Sequence, residues 1–442
     1  MKSLHFISLG CPKNLVDSEV MLGHLAREGY SLVEDPAGAD VIVVNTCAFI
    51  EDARKEAIDT ILEMGLFRKE GRCRLLAVAG CLPQRYRAEL AKLLPEVDIF
   101  IGAGEFPNIA RILNDAEGKP AGKRIHVGRP EYLYDHESPR VTATPRHMAY
   151  VKIAEGCFHP CSFCVIPKLR GKFRSRDLKS VVSEAKRLIS AGALELNLIA
   201  QDSTAYGRDL GSDIAALVEE LASLPGPKWI RLLYAYPHGF PERLIEVMRD
   251  CPDVCKYVDI PIQHISERIL RSMRRKGGGA EIRELIGKLR SEVPGVFIRT
   301  SLIVGYPGET RAEFAELMRF IEEARFEHLG VFAFSPEEGT PAARLKGRVS
   351  PRIAELRRAE AMELQRGISL ENNRRLVGKR LKVLVEGPSS ESEFLLFGRH
   401  EGEAPEIDGV VYINEGEAKG GAFATVEITD AHEYDLIGKI SC

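Results

Sequence analysis

No apolar run in the 442-residue sequence approaches the length of a membrane span, so no membrane-spanning helix is expected within it. An export signal is also missing. The N-terminal run Leu4–Leu9 is short and gives way at once to Gly10-Cys11-Pro12-Lys13-Asn14, which has no signal-peptide architecture. Charge of one sign is lacking: the formal net is −3, with 28% charged and 45% hydrophobic residues, the profile of a soluble globular protein. A phosphate-loop spacing is absent from Arg271–Gly279, although that stretch is basic and glycine-rich. What is there is length for two or three domains and ten cysteines. Without an export signal, ten cysteines predict a reducing cytoplasm and metal binding rather than disulfides.

Cys157-Phe158-His159-Pro160-Cys161-Ser162-Phe163-Cys164 follows the strand-like run Tyr150–Ala154. Three thiolates so closely spaced can hold three corners of an iron–sulfur cube. No fourth Cys or His follows at local spacing to close the coordination, and Pro160 is expected to turn His159 outward. The spacing therefore predicts an iron left open for a small molecule, with structural zinc or buried thiols as the alternative. Pro160 and Phe163 complete a pattern that resembles the loop of radical S-adenosylmethionine (SAM) enzymes. In that family the free iron chelates the amino and carboxylate groups of SAM, and the resemblance places Phe163 beside the cofactor.

In residues 1–118, Leu4–Leu9, Val41–Asn45 and Leu75–Ala79 alternate with helical patterns, which predicts a parallel sheet of βαβ units. Each run ends in a cysteine, Cys11, Cys47 or Cys81, at intervals of 36 and 34 residues. Strand ends of a parallel sheet share one edge, so the three are expected to converge and hold a second cluster. Three buried strand-end thiols are the plainer alternative. Ser8–Glu19, Val44-Asn45-Thr46-Cys47 and Ala79-Gly80-Cys81 resemble the N-terminal domain of the methylthiotransferases. Pro12-Lys13-Asn14 is similar to the branch that modifies ribosomal protein S12; the tRNA branch typically has Gln-Met-Asn there. Cys73, Cys251 and Cys255 read as ordinary cysteines.

Residues 119–142 read as a linker with room for one hairpin, beginning in the neighbourhood of Glu117-Gly118-Lys119-Pro120. Residues 143–373 hold six strand-like runs, mostly separated by helices: a partial or full (βα) barrel with chemistry on the loops after the strands. Gln201, Asp202, His264, Arg299 and Ser301 are the polar candidates for SAM contact on those loops. Ile303–Thr310 and Phe332–Pro341 look like family motifs near the SAM pocket. The basic run Ile166–Arg176 offers guanidinium partners for a carboxylate, a nucleic-acid patch, or simply a solvated face. Ser350-Pro351 starts a helix expected to stop at Gly378.

Residues 376–442 carry short alternating strands, a small antiparallel barrel similar in position to the TRAM module. From Gly378 onward 6 Lys plus Arg face 13 Asp plus Glu, a net of −7. Such a domain is a poor ligand for phosphates and suits a basic protein. The resemblance implies two [4Fe-4S] clusters, two uses of SAM, a one-electron reductant and an undefined sulfur donor. It implies methylthiolation of an aspartate β-carbon in S12, with a tRNA adenosine as the alternative substrate.

Overall fold

The computed structural model describes residues 2–116, 124–226, 228–392 and 394–441. Glu117-Gly118-Lys119-Pro120 and Glu393, the first residue of an expected strand, lie outside the described residues. The chain divides into two compact units. One comprises Met1–Thr144, Lys152–Val181 and Glu337–Thr340; the other comprises Pro145–Val151, Val182–Pro336 and Pro341–Cys442.

In the first unit, β1 (Lys2–Ser8), β2 (Tyr30–Leu32), β3 (Val41–Thr46), β4 (Leu75–Gly80), β5 (Ile99–Gly102) and β6 (Arg124–His126) form one parallel sheet in the order β2-β1-β3-β4-β5-β6. Every residue of β3 and β4 is buried, as expected of central strands covered on both faces. Alternate residues feed two cores. Val41, Val43, Leu75, Ala77, Ile99 and Ile101 pack with α1 (Pro12–Arg27), while Ile42, Val44, Leu76, Val78 and Phe100 pack with α2 (Glu51–Glu70) and α3 (Cys81–Leu93). The three expected strands are present; β2 and β5, only three and four residues long, were not anticipated. Residues 124–126, inside the expected linker, add the edge strand β6 in parallel to β5 rather than forming a hairpin. The chain leaves β1 toward β2 on one side and returns as β3 on the other. That reversal opens a crevice at the carboxyl ends of β1 and β3, where ligands of open α/β sheets bind.

The second sheet begins with β7 (Met148–Lys152). Short strands β8 (Ala154–Glu155) and β9 (Arg174–Ser175) then pair at the base of the three-cysteine loop. The sheet continues through β10 (Glu195–Ile199), β11 (Trp229–Leu232), β12 (Val254–Asp259), β13 (Phe297–Val304) and β14 (His328–Ala333). Its order, β14-β13-β12-β11-β10-β7, follows the chain without closing, so the barrel is partial. The helix Pro351–Arg374 has the expected Ser350 cap and packs its Ala354 against Gly305. It ends at Arg374, three residues before Val377 and four before Gly378, slightly earlier than expected.

Residues 380–440 close into a five-stranded barrel of β15 (Arg380–Pro388), β16 (Leu396–His400), β17 (Val411–Glu415), β18 (Ala422–Ala431) and β19 (Leu436–Ile440) around Val383, Val385, Val411, Ile413, Val426 and Leu436. The loop after β16 inserts its polar groups at the amino ends of the larger sheet's strands. Arg231 donates to the Glu401 carbonyl at 2.6 Å, Tyr257 and Arg299 each reach Asp408 at 2.7 Å, and His328 meets the Gly402 carbonyl at 2.7 Å. Fully buried Glu195 takes hydrogen bonds from Arg231 at 2.8 Å and Arg399 at 2.6 Å. Burial alone would raise the Glu195 carboxyl, but the Arg399 and Arg231 guanidiniums outweigh it and hold the carboxyl down to about 2.

A depressed carboxylate contributes stability above its unfolded value and loses it as pH falls through the folded one. Urea unfolding of the iron-free protein should therefore lose about 3 kcal/mol between pH 4.5 and 2 from this group. In Glu195→Gln that part of the acid dependence should be gone; an unchanged acid profile would count against the assignment.

Candidate functional site: two cysteine sets on one unit

Three adjacent strands of the first sheet each deliver one cysteine. Cys11 is the N-cap of α1, with Pro12 in the first turn, where the missing N–H costs nothing. Gly10, at φ +93, turns the chain into this position. A Cβ at Gly10 would stand 2.7 Å from the Cys47 Cβ, so only glycine lets the Cys11 and Cys47 loops meet. Gly80, at φ +98, turns β4 into Cys81, the first residue of α3, and its missing Cβ leaves room for the Asn45 side chain. Burial and the nearby Cys11 push the Cys47 thiol up. Burial pushes Cys81 to about 12, against the pull of Arg170. Thiolates here need a partner cation.

The second set lies on the loop between β8 and β9. Gly156, at φ +78, lets the loop pass the Lys172 carbonyl, and the Cys157 N–H bonds the Gly171 carbonyl at 3.2 Å. The Cys164 N–H bonds the Cys161 carbonyl at 3.1 Å. Backbone N–H groups of His159 and Ile166 point at the sulfurs of Cys157 and Cys164, both at 3.4 Å, an arrangement that favours thiolate. All three sulfur-bearing residues are half-buried. His159 corrects an expectation: Pro160 does not turn it outward, and it is buried beneath the exposed ring of Phe158, 4.4 Å away. Phe163 is half-buried on the same loop. Three thiolates are a donor set that an iron–sulfur cube can take at three of its irons.

A buried ion network joins the two sets within this unit. Asp17, on the second turn of α1, accepts from Lys152 and Arg170 through its two oxygens. Lys152 also donates to Glu155 at 2.7 Å, and Glu155 lies 3.5 Å from Arg170. Arg170 ends α5 (Ile166–Arg170), directly after the loop, and donates to the Asn14 side chain at 3.2 Å. Asn14 in turn donates to the Leu9 carbonyl at 2.6 Å, and Asn45 donates to the Asn14 carbonyl at 3.0 Å and to Ser18 at 2.8 Å. Glu19 accepts from Arg140 at 2.6 Å and from the Ala143 N–H at 2.7 Å. The run Pro12–Glu19 is thus an inward-facing scaffold. The basic run is likewise no solvated face: Arg170 and Arg176 are buried, and Arg174 donates to the Pro130 carbonyl at 2.9 Å.

The SAM-contact candidates of the second unit separate. Gln201 and Asp202 follow β10 at its carboxyl end; Asp202 is buried and caps the turn Ser203–Ala205 through the Ala205 N–H at 3.2 Å. His264 follows β12, fully buried, and its Nδ1 accepts the Ser266 N–H at 3.0 Å. Burial lowers its pKa to about 4, so it is neutral near pH 7. Ser301 is half-buried in the middle of β13. Arg299 stands apart. It is the third residue of β13, at the amino end, and its guanidinium is engaged by Asp408 of the C-terminal barrel. Sequence reasoning overlooked Tyr234, a non-glycine residue at φ +64 after β11, next to Gln263 at φ +73 after β12. Strained backbone of this kind gathers where ligands bind, but no composition signal reveals it.

Residues 3–102 match the family described as Uncharacterized protein family UPF0004, residues 151–321 the Radical SAM superfamily, and residues 377–440 the TRAM domain. The chain is 52% identical over 441 residues to the ribosomal protein uS12 methylthiotransferase RimO of Geotalea uraniireducens (strain Rf4), covering 99% of this chain and 98% of that one. The protein of the same name from Anaeromyxobacter sp. (strain Fw109-5) is 53% identical over 435 residues, covering 98% and 92%. Among solved structures, the radical SAM methyltransferase TsrM of Kitasatospora setae, with cobalamin and a [4Fe-4S] cluster bound, aligns with a TM-score of 0.58 at 14% identity, over 88% of this chain and 81% of that one. The cobalamin-dependent radical enzyme OxsB aligns with a TM-score of 0.54 at 12% identity, over 83% and 56%. These two likenesses concern the fold.

Lys152→Met leaves Asp17 and Glu155 buried with one guanidinium between them. Breaking a buried pair in this way should cost about 3–5 kcal/mol. The measurement is a lowered urea midpoint of the iron-free protein; an unmoved midpoint would show that Lys152 does not bind the two carboxylates together.

Proposed function

Because the chain belongs to the ribosomal protein uS12 methylthiotransferase family, we propose that it is a radical SAM enzyme that places a methylthio group on the β-carbon of an aspartate in protein S12. In this reading Cys157, Cys161 and Cys164 hold one [4Fe-4S] cluster and Cys11, Cys47 and Cys81 hold a second. When bound, such clusters supply an open iron for SAM and the electron that cleaves it. The observation that carries the reading is the presence of two three-cysteine sets on one compact unit, joined by Asp17 and Arg170.

The chain's own groups have definite tasks. N–H groups of His159 and Ile166 stabilise the Cys157 and Cys164 sulfurs as thiolates. Gly10 and Gly80 bring Cys47 and Cys81 to the strand edge. In the second unit, Gln201, Asp202, His264 and Ser301 are the candidate SAM-binding residues; Phe163 is the candidate on the cysteine loop of the first. Neutral His264 accepts through Nδ1 and therefore carries its proton on Nε2, a buried N–H with no protein acceptor among the described residues. That N–H is suited to a cofactor oxygen. Arg299 has no such task, being bound to Asp408.

A basic protein substrate fits the outer face of the C-terminal barrel, where Glu391, Glu406, Glu415, Glu417 and Asp430 are exposed. The partners are then S12, a one-electron reductant and a sulfur donor, in the cytoplasm; no described helix is long and apolar enough to cross a membrane.

Anaerobically reconstituted protein should form 5′-deoxyadenosine from SAM and methylthiolate S12, both read by mass spectrometry. Cys157→Ala should do neither. Cys47→Ala should still cleave SAM yet leave S12 unmodified; loss of cleavage in a folded Cys47→Ala protein would contradict separate sites. In binding assays across a salt series S12 should be retained and tRNA should not. Tight, steeply salt-sensitive tRNA binding would reverse the substrate assignment.

A further inference from the structure

Of the cations between Ile166 and Arg176 other than Arg170, three have ordinary structural partners and one faces solvent. Lys168 donates to the Gly339 carbonyl at 2.6 Å, Arg174 to carbonyls of Lys172 and Pro130, and Arg176 to the Lys152 carbonyl and Ser180 while stacking on Tyr134 at 4.1 Å; Lys172 is exposed. Arg170 differs. Its backbone belongs to the short helix after Cys164, but its side chain, 4% exposed, reaches the other cysteine set. It is held by Asp17 and Asn14 on the helix that begins after Cys11, the Asn14 N–H bonds the Cys11 carbonyl at 2.8 Å, and Val165 and Leu169 of the same segment pack in one apolar core with Cys81.

The charges around it balance without the thiols: Asp17 and Glu155 against Lys152 and Arg170. Thiolates at Cys11, Cys47 and Cys81 would add negative charge to a site whose one guanidinium is already shared with Asp17. A guanidinium has five donors in a rigid fork and stays charged when buried, so it can serve a carboxylate and a sulfur together. We propose that Arg170 is a positioning residue for the Cys11/Cys47/Cys81 site: it fixes the Cys11 loop through Asn14 and supplies the positive charge that stabilises the electron-rich form of whatever those thiolates hold. The proposal rests on the reading of that set as a cluster site. It also gives the loop that carries Cys157, Cys161 and Cys164 a direct electrostatic hold on the second set.

The test uses the full chain with Cys157→Ala, Cys161→Ala and Cys164→Ala, so that only one set remains, reconstituted with iron and sulfide. The readouts are the midpoint potential, followed by electron paramagnetic resonance, and the rate of iron release to a chelator. Reduction adds negative charge, so a nearby cation raises the potential. Arg170→Gln should lower the potential and weaken iron retention by about tenfold to a hundredfold, the usual effect of losing an outer-shell partner. Arg170→Lys should restore most of the potential, because the charge is kept. Asp17→Asn should shift the potential the opposite way, because it frees the guanidinium; this variant decides the matter if Arg170→Gln does not fold. Unmoved potentials, or shifts of the same sign in Arg170→Gln and Asp17→Asn, would overturn the proposal. An absent iron–sulfur signal with Arg170 intact would instead overturn the reading of the cysteine set, and the proposal with it.

Discussion

Asp17 is the point on which the first unit depends. Its two oxygens bind Lys152, which ends β7, and Arg170, which ends α5, while its own helix begins at Cys11. Buried ion pairs of this kind add little stability compared with well-packed apolar groups of the same volume. Removing either partner is costly, because the survivor is left charged and dry. Their value is therefore one of placement. Between them Asp17, Asn14 and Asn45 tie the loops of Cys11 and Cys47 to the segment after Cys164, with tolerances set by hydrogen bonds rather than by the looser fit of aliphatic packing. Bringing six sulfurs from four chain segments onto one unit requires that kind of constraint.

The second unit uses the same device at the opposite end of its sheet. Glu195, Arg231 and Arg399 lock the amino ends of β10 and β11 onto the C-terminal barrel, and Asp408 does the same for β12 and β13 through Tyr257 and Arg299. With the amino end filled, Gln201, Tyr234, Gln263 and His264 lie at the carboxyl end, where ligands of such sheets generally bind. The insertion also changes the meaning of the acidic C-terminal segment. Glu386, Glu403 and Asp408 are directed inward as partners of the larger sheet or of Arg399, so the exposed acidic face is smaller than the net of −7 suggests.

Sequence alone made the central strands and both cysteine sets legible, because apolar runs and fixed spacings survive without any knowledge of packing. The edge strands β2 and β6 escaped because three residues carry no periodicity. β19 escaped because Leu436–Ile440 is interrupted by glycine and lysine. Side-chain direction was the harder problem. Arg299 belongs to a strand correctly recognised as Val296–Val304, near its start and so at the amino end; what the run cannot show is the Asp408 carboxylate, 109 residues later, that engages the guanidinium. His159 was misjudged, and the basic run around Arg170 was left open between a carboxylate partner, a nucleic-acid patch and a solvated face, for one reason: burial depends on what a distant segment brings. The aspartate that buries Arg170 lies 153 residues earlier.

Asn14 is the residue that Pro12-Lys13-Asn14 shares with the Gln-Met-Asn of the tRNA branch, and its side chain faces the Leu9 carbonyl and Arg170, not solvent. A residue buried among scaffold bonds and common to both forms of the stretch belongs to the architecture of the Cys11 loop, not to the choice of substrate. The two positions in which the forms differ, Pro12 and Lys13, are half-buried at the start of α1. The exposed acids of the C-terminal barrel are a separate feature, with the right sign for a basic protein and the wrong sign for phosphate. The scaffold around Cys11 and the charge of that barrel are therefore set by different segments of the chain.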